Sequence, residues 1–470
     1  MRSVALTARE AEIPRSAWRT LSITSLVGFM VSLEITVISL ARDEIAQAFP
    51  DASPAELSWV LTAYNIGVAS LLLPAGWAAD RYGRRLVFQW GLGVFIVGSL
   101  LSGVAPSSDL LIAARVIQAI GGALQYPAGL ALLLGAFPPH RRQMAIGIWG
   151  AMGGLAAALG PSLGALLVDG FGWRAVFLIN VPVALSALVM GPRWIAESKG
   201  EGVPSRVDLI SVPLASLGVG AIILGIVQGD PWGWGSPSTV SAFAAGVVLL
   251  FVFVIRSRTH ATPLFDLGLL RLVTFSIGNV GGVLFVVAFF GWLVTFPEFL
   301  QRTWGWSVLK SGFAIAPGPM LATVVSPFTG RLADKHGNAP ILVVGGVSGA
   351  IGAGLHLAWT STDPSYLTGI LIPGLFIGLS AGCSFAMLVG ASMRDVQPAQ
   401  FGMAGAGRTT IFQLSIALGV AVAIALVGRP ASPEEMLDGL QQVWALSLAL
   451  WAAQAVLFAT IFPRRQRRRV

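Results

Sequence analysis

Long apolar stretches separated by short polar loops run through the chain. Leu21–Ala41, Leu86–Ala105 and Gly369–Met393 are three of these stretches, and they contain almost no charge. A helix rises 1.5 Å per residue, so about 20 residues cross a hydrocarbon core of roughly 30 Å. A membrane β-strand would instead alternate apolar and polar residues over about ten positions. The pattern therefore predicts a polytopic all-α membrane protein.

The apolar stretches predict fourteen membrane spans. They cover residues 19–41, 54–79, 86–105, 108–136, 143–168, 173–196, 208–228, 238–256, 273–300, 308–331, 340–359, 366–393, 400–428 and 439–462. An even number of spans places both termini on the same side of the membrane.

Composition supports a lipid environment. Of the 470 residues, 55% are hydrophobic and 11% are charged, and the mean hydropathy is +0.77. A soluble domain carries about 25% charged residues. We therefore expect the lipid bilayer as a partner. The net charge of +8 lies mainly in short loops and at the C-terminus, which favours an orientation signal over nucleic-acid binding.

Basic residues between the spans lie mostly on the side of the two termini, where residues 464–469 alone include five arginines. The opposite side carries only Arg42, Arg174, Arg302, Lys310 and Arg429. Loops rich in lysine and arginine remain in the cytoplasm. Both termini of this multi-pass protein are therefore predicted to be cytoplasmic, in the cell membrane.

A loop motif occurs twice in the chain. Gly76–Gly83 and Gly330–Gly337 share the pattern Gly-x-x-Ala-Asp-basic-x-Gly. Each copy follows the second span of a six-span block, and such repeats indicate a transporter built from two related halves. We therefore predict an N-terminal six-helix bundle over 1–200, an inserted helix pair over 201–262 and a C-terminal six-helix bundle over 263–470. The motif positions that we assign are Gly76, Asp80, Arg81, Gly83, Arg84, Gly330, Asp334, Lys335 and Gly337.

Four further segments carry motifs. They are Leu33–Ala41, Leu111–Gly122, Gly150–Gly164 and Trp173–Pro182. Together with the loop motif, they make the chain resemble the major facilitator superfamily and, within it, the 14-helix drug:proton antiporters. The resemblance implies a fold of two six-helix bundles with two extra inserted helices, and a conformational latch at the loop motif. In that motif Gly83 permits a tight turn, and Asp80 is placed to accept hydrogen bonds or to face a helix N-terminus.

The segment Gly150–Gly164 resembles the antiporter motif, which is associated with export rather than uptake. Its marked positions are Gly150, Gly154, Gly160, Pro161 and Gly164. Glycines four residues apart allow close helix packing, and a proline bends a helix. Residues 160–164 also fit the nucleophile elbow of a hydrolase, but the required strand–turn–helix context is missing.

Two ionisable residues lie inside predicted spans at similar depth. Glu34 in span 1 and Arg115 in span 4 both fall in the outer half of the bilayer. A charge left in hydrocarbon costs at least ~2.5 kcal/mol, so we expect the two side chains to lie close together. Burial favours the neutral acid and Arg115 favours the carboxylate, so Glu34 is a candidate for proton exchange. A structural ion pair is the alternative.

Several more residues are candidates for substrate binding. Arg408 in span 13 either contacts an anionic substrate or extends to the cytoplasmic surface. Glu298, near the outer end of span 9, is either an outer-vestibule group or a second proton site. Besides Glu34, the remaining candidates are polar or aromatic residues of the spans, namely Tyr64, Asn65, Gln118, Trp292, Phe296 and Gln301.

These observations favour a secondary transporter over an enzyme. The sequence has no Gly-x-x-x-x-Gly-Lys-Ser/Thr phosphate loop, and its single cysteine, Cys383, excludes an internal disulfide or a cysteine metal cluster. We expect a monomer with protons as the coupling ion, no other cofactor and no metal. The predicted function is export of small amphipathic compounds in exchange for protons, by alternating access. Uptake or symport of a small metabolite is one alternative, and a non-transport lipid-handling scaffold or enzyme is another.

Overall fold

A computed structural model gives the fold and describes residues 13–200, 208, 210–260, 262–428 and 430–463. All of the regular secondary structure among these residues is helical, and no strand occurs among them. The predicted all-α fold class is therefore confirmed.

Fourteen helical segments, α1 to α14, match the predicted spans in the described part of the chain, and short helices such as Arg42–Ala48 lie between them. The first seven are α1 (Arg15–Leu40), α2 (Pro54–Tyr82), α3 (Arg84–Gly103), α4 (Ser108–Ala136), α5 (Arg142–Phe171), α6 (Ala175–Leu178 and Asn180–Trp194) and α7 (Ser211–Val227). The other seven are α8 (Pro237–Thr259), α9 (Val273–Arg302), α10 (Val308–Ile315 and Pro317–His336), α11 (Asn338–Trp359), α12 (Leu367–Leu371 and Ile372–Met393), α13 (Phe401–Val427) and α14 (Pro433–Thr460).

The segments suit a bilayer in both length and surface. Within the described residues, eleven helices are long and apolar enough to cross a membrane, and α7 is a shorter apolar helix of 17 residues. Large apolar side chains such as Leu166, Phe251 and Phe328 are exposed on the outer faces. This surface is unfavourable in water and is the expected one in lipid. The chain is a multi-pass membrane protein.

Five even-numbered helices begin with a serine N-cap. In each, the serine hydroxyl accepts a hydrogen bond from the backbone N–H three residues further on, which satisfies one of the N–H groups left over at a helix start. These caps are Ser53, Ser107, Ser236, Ser307 and Ser432. We call the end of the molecule where the even-numbered helices begin the far end. The opposite end, where Asp80 and Asp334 lie, is the motif end.

The helices form two bundles with matching internal packing. α1 to α6 pack against one another, and so do α9 to α14. α3 packs on α4 as α11 packs on α12, and α2 packs on α4 as α10 packs on α12. The bundles meet along two principal seams, α2 with α13 and α10 with α5, which correspond to each other under the internal repeat.

The inserted helices α7 and α8 form a hairpin that covers one seam. α7 packs on both α2 and α13. At the open end of the hairpin, the Asp208 carboxylate accepts hydrogen bonds from Arg256 Nε and Ser211 Oγ, both at 2.6 Å. Burial by itself raises the pKa of Asp208, but these hydrogen bonds and the Arg256 charge hold it at about 2. The carboxylate is therefore charged at neutral pH and ties α7 to α8.

At the motif end of the first seam, Asp80 joins α2 to α13. Its carboxylate oxygens accept hydrogen bonds from the backbone N–H groups of Gly402 at 3.0 Å and Met403 at 2.8 Å, in the first turn of α13. Such N–H groups have no partner within their own helix and lie at its positive dipole end. Arg84 Nη2 binds the Asp80 carboxylate at 2.8 Å and the Pro398 carbonyl oxygen at 2.6 Å. One buried carboxylate therefore ties the two bundles together.

The second motif copy makes the corresponding contact at the other seam. Asp334 of α10 accepts hydrogen bonds from the backbone N–H groups of Gln143 at 3.1 Å and Met144 at 3.2 Å, in the first turn of α5. The basic residues that directly follow the two aspartates lie nearer the surface, where Arg81 is half-exposed and Lys335 is exposed. Each bundle thus contributes one carboxylate and one helix start to the closed motif end.

The motif glycines allow the close approach that these contacts need. A Cβ on Gly76 would lie 2.5 Å from a carbonyl oxygen of α13, and a Cβ on Gly330 would lie 2.6 Å from a carbonyl oxygen of α5. Gly83 and Gly337 have φ angles of 129° and 83°, which other residues rarely adopt. The first glycine of the motif therefore sets the distance between bundles, and the last one permits the turn.

Substitution Gly330→Val should open the motif end. The new side chain meets the α5 backbone, and overpacking of this kind costs about 1–3 kcal/mol, equivalent to about a 5–150-fold shift between two states. Spin labels on cysteines at the exposed positions Arg193 and Arg271, in a Cys383→Ser background, should then report longer distances by pulsed electron resonance.

The matched control for this experiment is Gly282→Val. A Cβ on Gly282 has no neighbour within 4 Å, so this variant should keep the native distance distribution. A native distribution in Gly330→Val as well would contradict the role assigned to the motif glycine.

Candidate functional site

A cavity of about 560 Å³ lies between the two bundles. Its wall is formed by α1, α2, α4 and α5, by α9, α10, α12 and α13, and by the inserted helix α7. Most of its lining side chains are aliphatic or aromatic, and the aromatic ones are Tyr64, Tyr126, Trp149, Trp234, Phe289, Phe290, Trp292, Phe385 and Phe412. A concave apolar site of this size suits a small organic molecule.

The cavity extends from the middle of the protein towards the far end. Arg408, Ser326 and Tyr126 line its deep part, and Val227 and Ile424 line it at the far ends of α7 and α13. Arg408 lies roughly 10 Å along α13 from the start of that helix, given 1.5 Å per residue. The latch contacts of both motif copies close the motif end beneath it.

Four of the predicted substrate-binding residues line this cavity. They are Tyr64, Asn65, Trp292 and Arg408. Arg408 is 9% exposed and carries the only charge among the described residues of the wall. Of the two alternatives for this arginine, extension to the membrane surface is therefore not observed.

The structure places the other candidates of α9 away from the cavity. Phe296 is fully buried and stacks on Trp292 at 5.6 Å, where α11 and α14 fill the adjacent space. The Glu298 side chain is 46% exposed and pairs with Arg302 at 3.0 Å, one turn further along α9. Gln301 donates a hydrogen bond to a carbonyl oxygen of its own helix. The cavity wall follows α9 only as far as Leu293, so these three residues lie beyond it.

Glu34 and Arg115 form a buried ion pair, in agreement with the contact predicted from their depth. Glu34 is 2% exposed and Arg115 is 1% exposed. Arg115 Nη1 binds one carboxylate oxygen of Glu34, and Arg115 Nε donates to the Val60 carbonyl oxygen at 2.9 Å. Asn180 Nδ2 donates to the other carboxylate oxygen. Helices α1, α2, α4 and α6 therefore meet at one polar network.

Gln118 belongs to this network and does not line the cavity, contrary to its assignment from the sequence. Its Oε1 accepts a hydrogen bond from Arg115, and its Nε2 donates to Ser99 Oγ at 2.9 Å. Gln118 lies one turn after Arg115 on the α4 face that packs on α3, which explains its burial. Asn180 was not among the predicted site residues, although an amide inside an apolar span was a usable signal.

Tyr64 separates the ion pair from the cavity. Tyr64 lines the cavity, and the guanidinium of Arg115 lies 4.3 Å from the centroid of its ring. Neither Glu34 nor Arg115 lines the cavity, so Glu34, a predicted substrate-binding residue, lies behind the wall and not at its surface. Within the described residues the Tyr64 hydroxyl has no hydrogen-bond partner. The Tyr64 ring therefore covers the ion pair by its shape and contacts the Arg115 guanidinium through its π face.

The glycines of the antiporter motif lie on α5. Gly150 lines the cavity, and a Cβ there would lie 2.9 Å from the Cβ of an alanine in α12. Gly160 and Gly164 are buried. The surroundings of Gly154 and Pro161 lie outside the described residues, and a bend at Pro161 stays a prediction.

A buried histidine of α11, His356, supports the cavity wall and was not among the predicted residues. Trp292 Nε1 donates to His356 Nε2 at 3.1 Å, which assigns the ring proton to Nδ1, 3.1 Å from Thr360 Oγ1. Thr360 then donates to the Gly369 carbonyl oxygen at 3.2 Å. This chain of hydrogen bonds holds the Trp292 indole at the wall. A histidine inside an apolar span was the available signal.

Comparison with known families agrees with this architecture. A family model described as Major Facilitator Superfamily matches residues 24–420. The chain belongs to this superfamily. The match extends from α1 into α13 and includes the Asp80 and Asp334 contacts, the ion pair and most of the cavity wall.

Curated relatives in the superfamily are resistance and export proteins of bacteria. The tetracenomycin C resistance and export protein of Streptomyces glaucescens is 35% identical over 328 residues, which are 70% of this chain and 61% of that protein. The methylenomycin A resistance protein of Bacillus subtilis is 31% identical over 84% of each chain. The multidrug efflux pump LfrA of Mycolicibacterium smegmatis is 30% identical over 87% of this chain and 80% of that protein.

Solved structures share the fold at low identity. The proton:xylose symporter XylE has a TM-score of 0.65 at 16% identity, over 96% of this chain and 97% of that one. The human organic anion transporter MFSD10 has a TM-score of 0.67 at 15% identity, over 95% of this chain and 100% of that one. These similarities establish the major facilitator fold and nothing about substrate.

Substitution Tyr64→Ala should expose Glu34 to the cavity. The Tyr64 ring lines the cavity and lies against the Arg115 guanidinium, so its removal opens the wall in front of the ion pair. We expect dicyclohexylcarbodiimide to modify Glu34 several-fold faster in this variant, as measured by mass spectrometry of the peptide that contains it.

Tyr64→Phe is the matched control because the hydroxyl makes no hydrogen bond in the described structure. It should react as slowly as the unsubstituted protein. Equal reaction rates in the alanine and phenylalanine variants would show that the ring does not shield the acid.

Proposed function

We propose that this chain exports small amphipathic compounds in exchange for protons, by alternating access of the central cavity. The observation that carries the proposal is the buried Glu34–Arg115 pair behind the wall of an apolar cavity. An ionisable group kept inside a membrane bundle is costly and marks an ion or proton pathway. One chain supplies both halves of the cavity, so the proposed transport unit is a monomer.

The relatives and the antiporter motif support export as the direction of transport. The three relatives named above are called resistance, export or efflux proteins. The cavity wall supports an amphipathic substrate because aromatic side chains from both bundles surround a few polar groups. These features favour export over uptake of a polar nutrient.

The distribution of basic residues supports one orientation in the membrane. The positive-inside rule supports a cytoplasmic motif end, since the basic loops lie there. We therefore propose a cell-membrane protein with both termini in the cytoplasm. In that orientation the structure is closed to the cytoplasm, and its cavity faces outwards.

The two latches supply the conformational step. Separation of Asp80 from the start of α13, and of Asp334 from the start of α5, opens the cavity to the cytoplasm. The substrate then enters from that side. When both carboxylates regain the helix N–H groups, the motif end closes and the cavity faces outwards again.

Proton coupling is assigned to Glu34. Protonation removes its charge, and Arg115 then loses its carboxylate partner. Because α1, α2, α4 and α6 meet at this network, the loss of the ion pair changes the packing within the N-terminal bundle. A proton that enters from outside and leaves to the cytoplasm would therefore bias the bundle between its two states.

Substitution Glu34→Gln should abolish coupling and leave the protein folded. Glutamine keeps the shape and one acceptor oxygen for Asn180, but it cannot exchange a proton. Liposomes are loaded with an acidic buffer and a pH-sensitive dye, and ethidium and pyrenebutyrate are added outside in separate runs as a cationic and an anionic amphipathic probe. At least one of the two probes should release protons through the native protein. The same additions should give only background release with the glutamine variant.

Glu298→Gln is the control, because this exposed carboxylate pairs only at the protein surface. It should retain the native response. Full gradient-driven release by Glu34→Gln would contradict the assignment of the proton site. Acidification of the vesicle interior on substrate addition would indicate symport and overturn the proposed exchange.

A further inference from the structure

One cation in the cavity wall has no counter-ion. Arg408 is nine-tenths buried, and in the described structure its guanidinium makes no ion pair and donates no hydrogen bond. Its neighbours in the wall include the Phe412 ring, whose centroid lies 5.8 Å away, and Tyr126. A cation–π contact at this distance is weak compensation for a charge removed from water.

The acids of the surrounding helices are already engaged. Asp80 binds Arg84 and the first turn of α13. Glu34 binds Arg115, and Asp266 accepts hydrogen bonds from Gly268 and Gln400. The positive charge of Arg408 therefore remains available at the deep end of the cavity.

The remainder of the deep wall is suited to a flat apolar body. Phe289 and Phe385 pack edge to face at 5.1 Å, and Phe385 packs on Phe412 at 6.3 Å. On the opposite side, Tyr126 packs on Trp149 at 5.7 Å. Arg408 lies between these aromatic groups and, among the described residues of the wall, is the one whose guanidinium can bind a carboxylate or phenolate oxygen through paired N–H groups.

We propose that the cavity selects amphipathic weak acids in their anionic form. The oxyanion of the ligand binds the Arg408 guanidinium, and its apolar ring system packs against the aromatic wall. This inference rests on the proposed transport function and adds the charge class of the substrate. An anion at this position gives the buried guanidinium the partner that the protein itself does not provide.

Binding to the purified protein tests the proposal without transport. The probes are pyrenebutyrate, its methyl ester and the trimethylammonium analogue, which share one fluorophore. Trp149, Trp234 and Trp292 line the cavity, so energy transfer from tryptophan to pyrene reports occupancy. The native protein should bind the acid more tightly than the ester and the cation.

Substitution Arg408→Gln should weaken binding of the acid by about 10- to 100-fold, the effect expected when a charge-assisted hydrogen bond is lost. It should change binding of the ester little. Arg408→Lys keeps the charge but loses the planar donor pair, so it should recover part of the affinity for the acid. Arg258→Gln, at an exposed position on α8, controls for net charge and should bind like the native protein.

Three outcomes would overturn the inference. They are equal or tighter binding of the ester or the cation by the native protein, an unchanged preference for the acid in Arg408→Gln, and no energy transfer from the native protein to pyrenebutyrate. Preferential binding of the acid without any proton-linked transport in liposomes would instead reject the proposed function and leave the anion site standing.

Discussion

The lack of hydrogen-bonding solvent in the bilayer core is the constraint on which this structure depends. Backbone groups satisfy it by forming helices. Glu34 and Arg115 satisfy it by binding each other, and the uncharged side chains of Asn180 and Gln118 complete their hydrogen bonds. Because Glu34, Arg115 and Asn180 lie on α1, α4 and α6, the same contacts that satisfy the charges also set how these helices of the N-terminal bundle pack.

The same constraint explains how the two bundles are joined at the motif end. A helix start leaves backbone N–H groups without partners, and a carboxylate from the other bundle supplies them. Asp80 and Asp334 do this at corresponding positions of the repeat, next to glycines that let the backbones approach. These few hydrogen bonds form only when a carboxylate lies at the helix start of the other bundle, which makes the contact specific. Because the contact lies at the end of a seam, water can take the place of the carboxylate when the bundles separate.

Much of the fold and the pairing of the buried charges could be predicted from the sequence. Apolar stretches predict the helices because their length matches the bilayer, and the loop repeat predicts two halves because equal motifs occupy equal positions. The depth of Glu34 and Arg115 predicts their contact, since an isolated charge in lipid is unfavourable. The positions of the α9 side chains were harder to predict, because Trp292 and Phe296 are both aromatic and lie one turn apart. Only the packing of α11 and α14 places Phe296 inside the core.

The sequence by itself determined the membrane environment, the number of helices, the two-part organisation and the pairing of the buried charges, because each follows from local composition and from depth along a helix axis. Only the tertiary structure decided which side chains face the cavity. Rotation of a helix about its own axis is set by its neighbours, so the position of Tyr64 in front of the ion pair, the support of Trp292 by His356 and the burial of Arg408 without a counter-ion could not be derived from helix length or hydrophobicity.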